Sequence, residues 1–348
     1  MRAGIDSHKR TLAVAVVDEA GRQHEVGEFA NDPKGHDRLA GWLAGHGVDR
    51  VGIEGSGHLG RAAAAHLVGA GFDVREVPCG FTVRERRRRA GGGKSDPIDA
   101  LAIARVTVRE EALVAARCTD DTAEELRILS DYRRQLVTER IRLVNRVHAD
   151  LVIVVPGYKD KVPTLTRPSL VAAARRLLRG KSGVRVELLR RRMDRVVAID
   201  TEAKVLHRRL EELVRTAGSS LLELPGVGAI TAARILGETG DARRFRDHNA
   251  FASANGTAPI PASSGEVTRH RVNRGGNRLL NEAIHTVALV QNRGVGPGKD
   301  FIDRRRAAGK TQREAMRSLK RRLSDVIYRT LIADLERLER ANSMIALT

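Results

Sequence analysis

The chain reads as an α/β domain followed by two helical regions, and three observations predict this. Residues 1 to about 110 alternate short apolar strands with helices. Residues 120 to 217 are highly charged, with apolar positions at three-four spacing. Residues 218 onward open with "LLELPGVGAITAARIL", pass through a Gly-, Pro- and Ser-rich loop, and end in basic helices. The predicted boundaries are 1–115, 116–217 and 218–348. With 348 residues, 41% of them hydrophobic, the chain is long and apolar enough to bury several cores.

In the first region, Arg2 to Ile5, Thr11 to Val17 and His24 to Phe29 read as strands. Asp18-Glu19-Ala20-Gly21 is the turn of a hairpin between the second and third. A helix follows from Lys34 to Ala44, then a strand from Arg50 to Ile53, a helix after Gly60 and a strand near Val74 to Val77. Three hairpin-linked strands followed by helix–strand alternation predict a mixed sheet. In the second region, Leu129, Leu136 and Leu143 repeat at seven, and Leu189, Met193, Val196, Ala203, Leu206, Leu210 and Leu213 follow three-four spacing. Asp200 interrupts that seam, and Pro156, Pro163 and Pro168 separate the two stretches. The expectation is a helical hairpin or coiled coil, protruding or dimerising, over two helices of an ordinary compact domain.

Net charge is +19, from 62 basic and 43 acidic residues. A chain this basic binds a polyanion, nucleic acid ahead of an anionic membrane surface. Arginine-rich composition explains Arg in place of Lys, but not the excess of bases over acids. Aromatic residues are 3%, which argues against a base-stacking platform for single strands. Cys79 and Cys118 form no disulfide or metal pattern, and there is no signal peptide or bilayer-spanning run. The expected compartment is the bacterial cytoplasm, with the nucleoid. Met1 stands almost on the first strand, so a short native N-terminal extension is expected to be missing.

Gly55-Ser56-Gly57-His58-Leu59-Gly60 matches the dinucleotide pattern G-x-G-x-x-G. Glu76 follows about twenty residues on, but inside its strand rather than at its end. Glu54 would also put negative charge beside a pyrophosphate, and the upstream hairpin has the wrong topology. No nucleotide cofactor is predicted. Four carboxylates offer a better account: Asp6 ends the first strand, Glu54 the fourth, and Asp96 and Asp99 begin a helix. In a ribonuclease-H-like sheet the first and fourth strands are neighbours, and a late helix packs beside them. The four acids then converge, and their repulsion calls for Mg²⁺ or Mn²⁺. The plainer reading of Asp96 is an N-cap before Pro97, with Asp99 favoured by the helix dipole.

With "GIDSHK", "IEGSG" and "GGGKSDPIDALAIA" in this order, the chain resembles the DEDD-type insertion-sequence transposases, recombinases guided by a bridge RNA and carrying a RuvC-like domain. The resemblance covers almost the whole chain, including the helical middle and a C-terminal transposase domain. It implies that Asp6, Glu54, Asp96 and Asp99 are catalytic metal ligands; Lys94 to Asp99 fits the family's K-x-D-x-x-D. It also implies a serine nucleophile before a glycine in "PIPASSGEVTRHRVNRGGNRLLNEAI", which is Ser264, with Ser263 next door. The expected activity is cutting and exchange of donor and target DNA through a phosphoserine link, in a homodimer or tetramer with a noncoding guide RNA. Two alternatives stay open: a RuvC-like junction resolvase using water, and a non-catalytic basic packaging protein.

Candidate nucleic-acid contacts follow the charge. Arg84 and Arg86, Arg87, Arg88 and Arg89 read as a flexible basic strip leading to Lys94 and the acids. Gly226 and Gly228, in a helix-hairpin-helix-like segment, offer backbone N–H groups to a phosphate. Arg274 and Arg278 flank the next helix start. Arg306, Lys310, Arg313, Arg317 and Lys320 read as one phosphate-facing helical stripe. No base-reading helix-turn-helix is recognisable.

Overall fold

A computed structural model describes residues 1–88, 95–117, 121–261, 270–273 and 275–346. Ser263, Ser264, Arg89, Lys94 and Arg274 lie outside the described residues. The chain divides into two compact units. One comprises residues Met1–Asp121, Glu223–Gly226 and Glu238–Thr348; the other comprises Thr122–Leu222 and Val227–Gly237.

The first unit begins with β1 (Arg2–Ser7), β2 (Thr11–Val17) and β3 (Gln23–Ala30), then α1 (Pro33–Gly45), β4 (Arg50–Ile53), α2 (Arg61–Gly69), β5 (Asp73–Glu76), α3 (Cys79–Arg87) and α4 (Asp96–Arg109). The sheet order is β3-β2-β1-β4-β5. β1, β2 and β3 are antiparallel, whereas β4 runs parallel to both β1 and β5. This is the mixed, ribonuclease-H-like arrangement the alternation predicts. The β2–β3 turn is held by the Asp18 carboxylate, which accepts from the Ala20 and Arg22 N–H groups.

β2 is buried along nearly its whole length because the sheet is covered on both faces. Val14 and Val16 join Ala3, Ile5, Leu39, Leu43, Ala63 and Leu67 in one core. Ala13, Ala15 and Val17 alternate to the other face, against Ala100, Leu101 and Ala104 of α4. Two glycines let α4 approach the sheet. A Cβ on Gly4 would lie 2.1 Å from the Ala104 nitrogen, and one on Gly52 would lie 1.9 Å from Thr107 Oγ1. Small residues on β1 and β4 thus press onto the sheet the helix whose first turn carries Asp96 and Asp99.

The second unit is built on α5 (Asp121–Val154), α6 (Pro168–Arg176) and α7 (Val184–Thr216). α5 and α7 run antiparallel: Arg195 pairs with Glu139 at 2.9 Å, Arg185 with Asp150 at 2.8 Å, and Arg209 with Glu125. Leu136, Ile199 and Leu206 form one core; Val147, Leu151, Leu189, Met193 and Val196 belong to another with the α6 segment. Ile199 and Val214 are buried where the sequence pattern had placed Ala203 and Leu213. Asp200, the break in the seam, is held by Arg140 at 2.5 and 3.0 Å.

The helix α8 (Ala229–Thr239) spans the division between units. The first unit continues with α9 (His248–Ala254), a two-stranded ribbon of β6 (Pro259–Pro261) and β7 (His270–Val272), then α10 (Arg278–Asn292), α11 (Gly298–Ala307) and α12 (Gln312–Ala346). No helix among the described residues is long and apolar enough to cross a membrane.

Candidate active site

The parallel pairing of β1 and β4 sets the site. Gly4 lies beside Gly52 and Ile5 beside Ile53, so the next step brings Glu54 beside Asp6. The Glu54 N–H donates to the Ile5 carbonyl at 3.2 Å and continues that register past the strand end. Gly55 then turns the chain with φ +76°, a left-handed conformation that favours glycine. Gly57 does not adopt it, so of these two glycines only Gly55 makes the sharp turn.

α4 supplies the other two acids. Its N-cap is Ser95, not Asp96, and no side chain caps the helix. The capping explanation of Asp96 therefore fails. Its carboxylate instead faces His8, whose Nε2 stands 3.3 Å from Asp96 Oδ2 and 3.2 Å from Asp6 Oδ2. Neither contact is aligned as a hydrogen bond. Asp99 is buried, and Arg86 of α3 grips it through one guanidinium nitrogen at 2.7 and 3.0 Å. The buried Thr82 donates to Glu54 Oε2 at 2.9 Å.

The electrostatics follow. Burial pushes the Asp6 carboxyl above its ordinary value, His8 pulls it back, and the charges of Asp99, Glu54 and Asp96 each push it further up. The Cys79 thiol is likewise raised by burial and by Glu54. Among the described residues, Arg86 and His8 are the basic side chains that meet these four carboxylates. Asp6, His8 and Asp96 each bring one ligand atom into a group spanning no more than 4.8 Å. A set dominated by hard oxygens, with like charges driving its carboxylates against one another, suits a divalent cation.

Three partners escape the sequence reading. His8 had a signal: two residues beyond Asp6, it shares the same face of an extended chain. Thr82 and Arg86 had none, because only the packing of α3 brings them in. Arg86 was expected on nucleic acid, yet here it neutralises Asp99. The expected flexible strip is also helical as far as Arg87; Arg87 and Arg88 are exposed at its end.

The remaining basic positions are dispersed. Gly228 is exposed just before α8, whereas Gly226 has φ +83° and packs against Gln291. Arg278 is exposed at the first residue of α10. The C-terminal stripe is not one helix: Arg306 is near the end of α11, Lys310 is in the turn, and Arg313, Arg317 and Lys320 are on α12. Lys320 turns inward and donates to Asn281 Oδ1 at 2.5 Å, and burial lowers its pKa.

Comparison with known proteins gives two family matches. Residues 3–156 match a DEDD transposase model, and residues 218–301 match the transposase family of IS116, IS110 and IS902. Among curated proteins, the chain is 27% identical over 328 residues to the uncharacterized 44.8 kDa protein of insertion element IS116 from Streptomyces clavuligerus, covering 81% of this chain and 82% of the relative. It is 28% identical over 316 residues to the uncharacterized 42 kDa protein of insertion element IS900 from Mycobacterium paratuberculosis, covering 77% and 78%. It is 24% identical over 230 residues to the transposase for insertion sequence element IS1328 from Yersinia enterocolitica, covering 65% and 66%.

Proposed function

The chain belongs to the IS110-type transposases, and from that premise we propose that it exchanges DNA strands by serine attack beside the Asp6–Glu54–Asp96–Asp99 cluster. The observation that carries this reading is the convergence of four acids, from two parallel strands and one helix start, around a shared centre. Asp6 and Asp96 are the residues to hold a divalent ion, Mg²⁺ or Mn²⁺, with Glu54 and Asp99 beside them. When bound, the ion would supply electrophilic activation of the phosphate and stabilise the departing oxygen.

The chain's own groups perform the rest. The Ser264 hydroxyl loses its proton and its oxygen bonds to phosphorus. One deoxyribose oxygen leaves and takes a proton, so a phosphoserine link replaces the phosphodiester. A deoxyribose hydroxyl of the exchanged strand then attacks that link, restoring the phosphodiester and the serine. No external energy source is needed, because each ester bond broken is matched by one formed. The serine and the acids come from different subunits of a dimer or tetramer.

Sequence choice falls to a noncoding guide RNA. This reading is supported by a net charge of +19 without a recognisable base-reading helix, which suits backbone contact to both nucleic acids. The proposed contacts are the exposed Arg87, Arg88, Arg278, Lys310, Arg313 and Arg317.

The test is a trapped protein–DNA adduct on a substrate carrying the element's junction. It is expected in the wild type and absent from Ser264→Ala. An adduct that persists in Ser264→Ala and disappears in Ser263→Ala moves the nucleophile by one residue. Cleavage without any adduct sinks the serine mechanism in favour of water attack, as in a junction resolvase. Unchanged recombination in Asp6→Ala would overturn the enzymatic reading itself.

A further inference from the structure

A second group of metal-type side chains lies at the sheet's free edge. β3 is an edge strand, and it bulges. Val16 pairs with Glu25 and Val17 with Gln23, so one step along β2 spans two along β3, and His24 is the extra residue. Consecutive strand residues ordinarily face opposite sides, and a bulge re-aims one of them. Here both His24 and Glu25 meet His46, the residue that caps α1. The rings of His24 and His46 are 5.7 Å apart, and His46 Nε2 is 2.6 Å from Glu25 Oε2. Each of the three offers a ligand atom within 4.8 Å of the others.

The backbone fixes which nitrogen of His46 is available. Nδ1 lies 2.7 Å from the Trp42 carbonyl oxygen. A carbonyl only accepts, so Nδ1 carries the proton. With Nδ1 so engaged, the 2.6 Å contact requires a positive species at Nε2: a proton, which the Trp42 carbonyl and Glu25 favour by raising the His46 pKa, or a metal ion that takes the proton's place. An imidazole whose far nitrogen donates to a backbone carbonyl is also the arrangement found behind metal-ligating histidines.

We propose that His24, Glu25 and His46 bind a zinc ion, with water as the fourth ligand. Two imidazoles and one carboxylate suit zinc, whereas magnesium requires oxygen donors. The ion would staple the edge strand to the end of α1. Glu25 pairs with Val16 and Val16 with Ala3, three residues before Asp6 on β1, so the site stands apart from the carboxylate cluster along the strands. Its role is to hold and blunt a strand whose outer edge would otherwise be open to pairing with another chain.

The test is a zinc titration of the full-length chain against a chromophoric chelator, with excess Mg²⁺ present. One zinc per chain is expected in the wild type and in Asp6→Asn and Asp96→Asn. His24→Ala and His46→Ala should each weaken it by more than about a hundredfold, since even the loss of an outer-shell partner costs up to that much. Zinc should raise the Tm of the wild type and leave that of His24→Ala unmoved. His24 is exposed, so this single variant keeps its fold, which circular dichroism verifies. No zinc uptake by the wild type overturns the proposal. So does uptake that survives the double variant His24→Ala/His46→Ala, or uptake lost only in Asp6→Asn or Asp96→Asn, which would locate the ion among the carboxylates.

Discussion

Carboxylates keep very different company in the sheet and in the helical hairpin. Along the hairpin, Asp200, Asp150, Glu139 and Glu125 each meet at least one arginine of the facing helix. At the ends of β1 and β4, four carboxylates gather around Arg86 and His8. In the hairpin an acid is half of a finished pair, and its contribution is structural. In the sheet the acids press on one another, their charges raising the Asp6 pKa, an arrangement that a bound divalent cation would relieve. The same residue types therefore do opposite work, and five measurements bear on the contrast.

The largest effect is expected at the cluster. Asp6→Asn or Asp96→Asn should lower recombination by roughly a thousandfold, the equivalent of several kcal/mol of lost charge stabilisation. DNA binding, measured by gel shift, should persist, and the Tm of the metal-free chain should not fall. A large drop in Tm with activity retained would put these acids in the hairpin's class.

Arg140→Met tests the hairpin. It strands the half-buried Asp200 in the apolar seam, and chemical denaturation should show a loss of about 2 kcal/mol. The double variant Arg140→Met/Asp200→Leu should recover most of it, because an apolar pair can replace an ion pair there. Next comes Arg86→Gln, which removes the cation on Asp99. Mn²⁺ titration should show tighter binding by about tenfold, the size of a modest screened charge interaction. Weaker binding would make Arg86 a support of the cluster rather than a stand-in for the metal.

Acid titration should separate the two regions by sign. Asp6 has a raised folded pKa, from burial and its neighbouring carboxylates. Its contribution is present below the ordinary value of 3.8 and is lost as pH rises through the folded value. Glu139 is the reverse: its hydrogen bond and charge contact with Arg195 lower its pKa from 4.5. Its contribution is present above 4.5 and is lost as pH falls through the folded value. In metal-free Tm–pH profiles, Asp6→Asn should therefore gain on the wild type toward neutral pH, and Glu139→Gln should lose. The smallest effect belongs to the exposed pair Arg191–Glu187 on α7, where Arg191→Ala should cost less than about 0.5 kcal/mol.

Much of the site was legible because its acids sit where local pattern ends. Asp6 and Glu54 each end an apolar run at a strand end, and Asp96 stands before Pro97 at a helix start; such positions are visible without a structure. The stretch through Arg86 was expected to be flexible because a run of arginines before three glycines resembles an exposed loop, whereas it is helical as far as Arg87. The neighbours of Arg86 on α3, including the buried Thr82, become part of the cluster only through packing against α4. The C-terminal stripe failed for another reason. Three-four spacing continues arithmetically across the turn that holds Lys310, although the helix does not.

The short apolar run of β2, the Asp18-to-Gly21 turn, the seven-residue repeat in α5 and the three-four spacing in α7 were enough to specify the elements, since each depends on residues a few positions apart. Composition was enough to imply a polyanionic partner. The register of β4 against β1, the seating of α4 on Gly4 and Gly52, and the arrival of His8, Thr82 and Arg86 among the acids were decided only by the tertiary structure. So was the bulge that turns His24 toward His46. These depend on contacts between segments tens of residues apart, whose geometry is set by close packing rather than by any local preference.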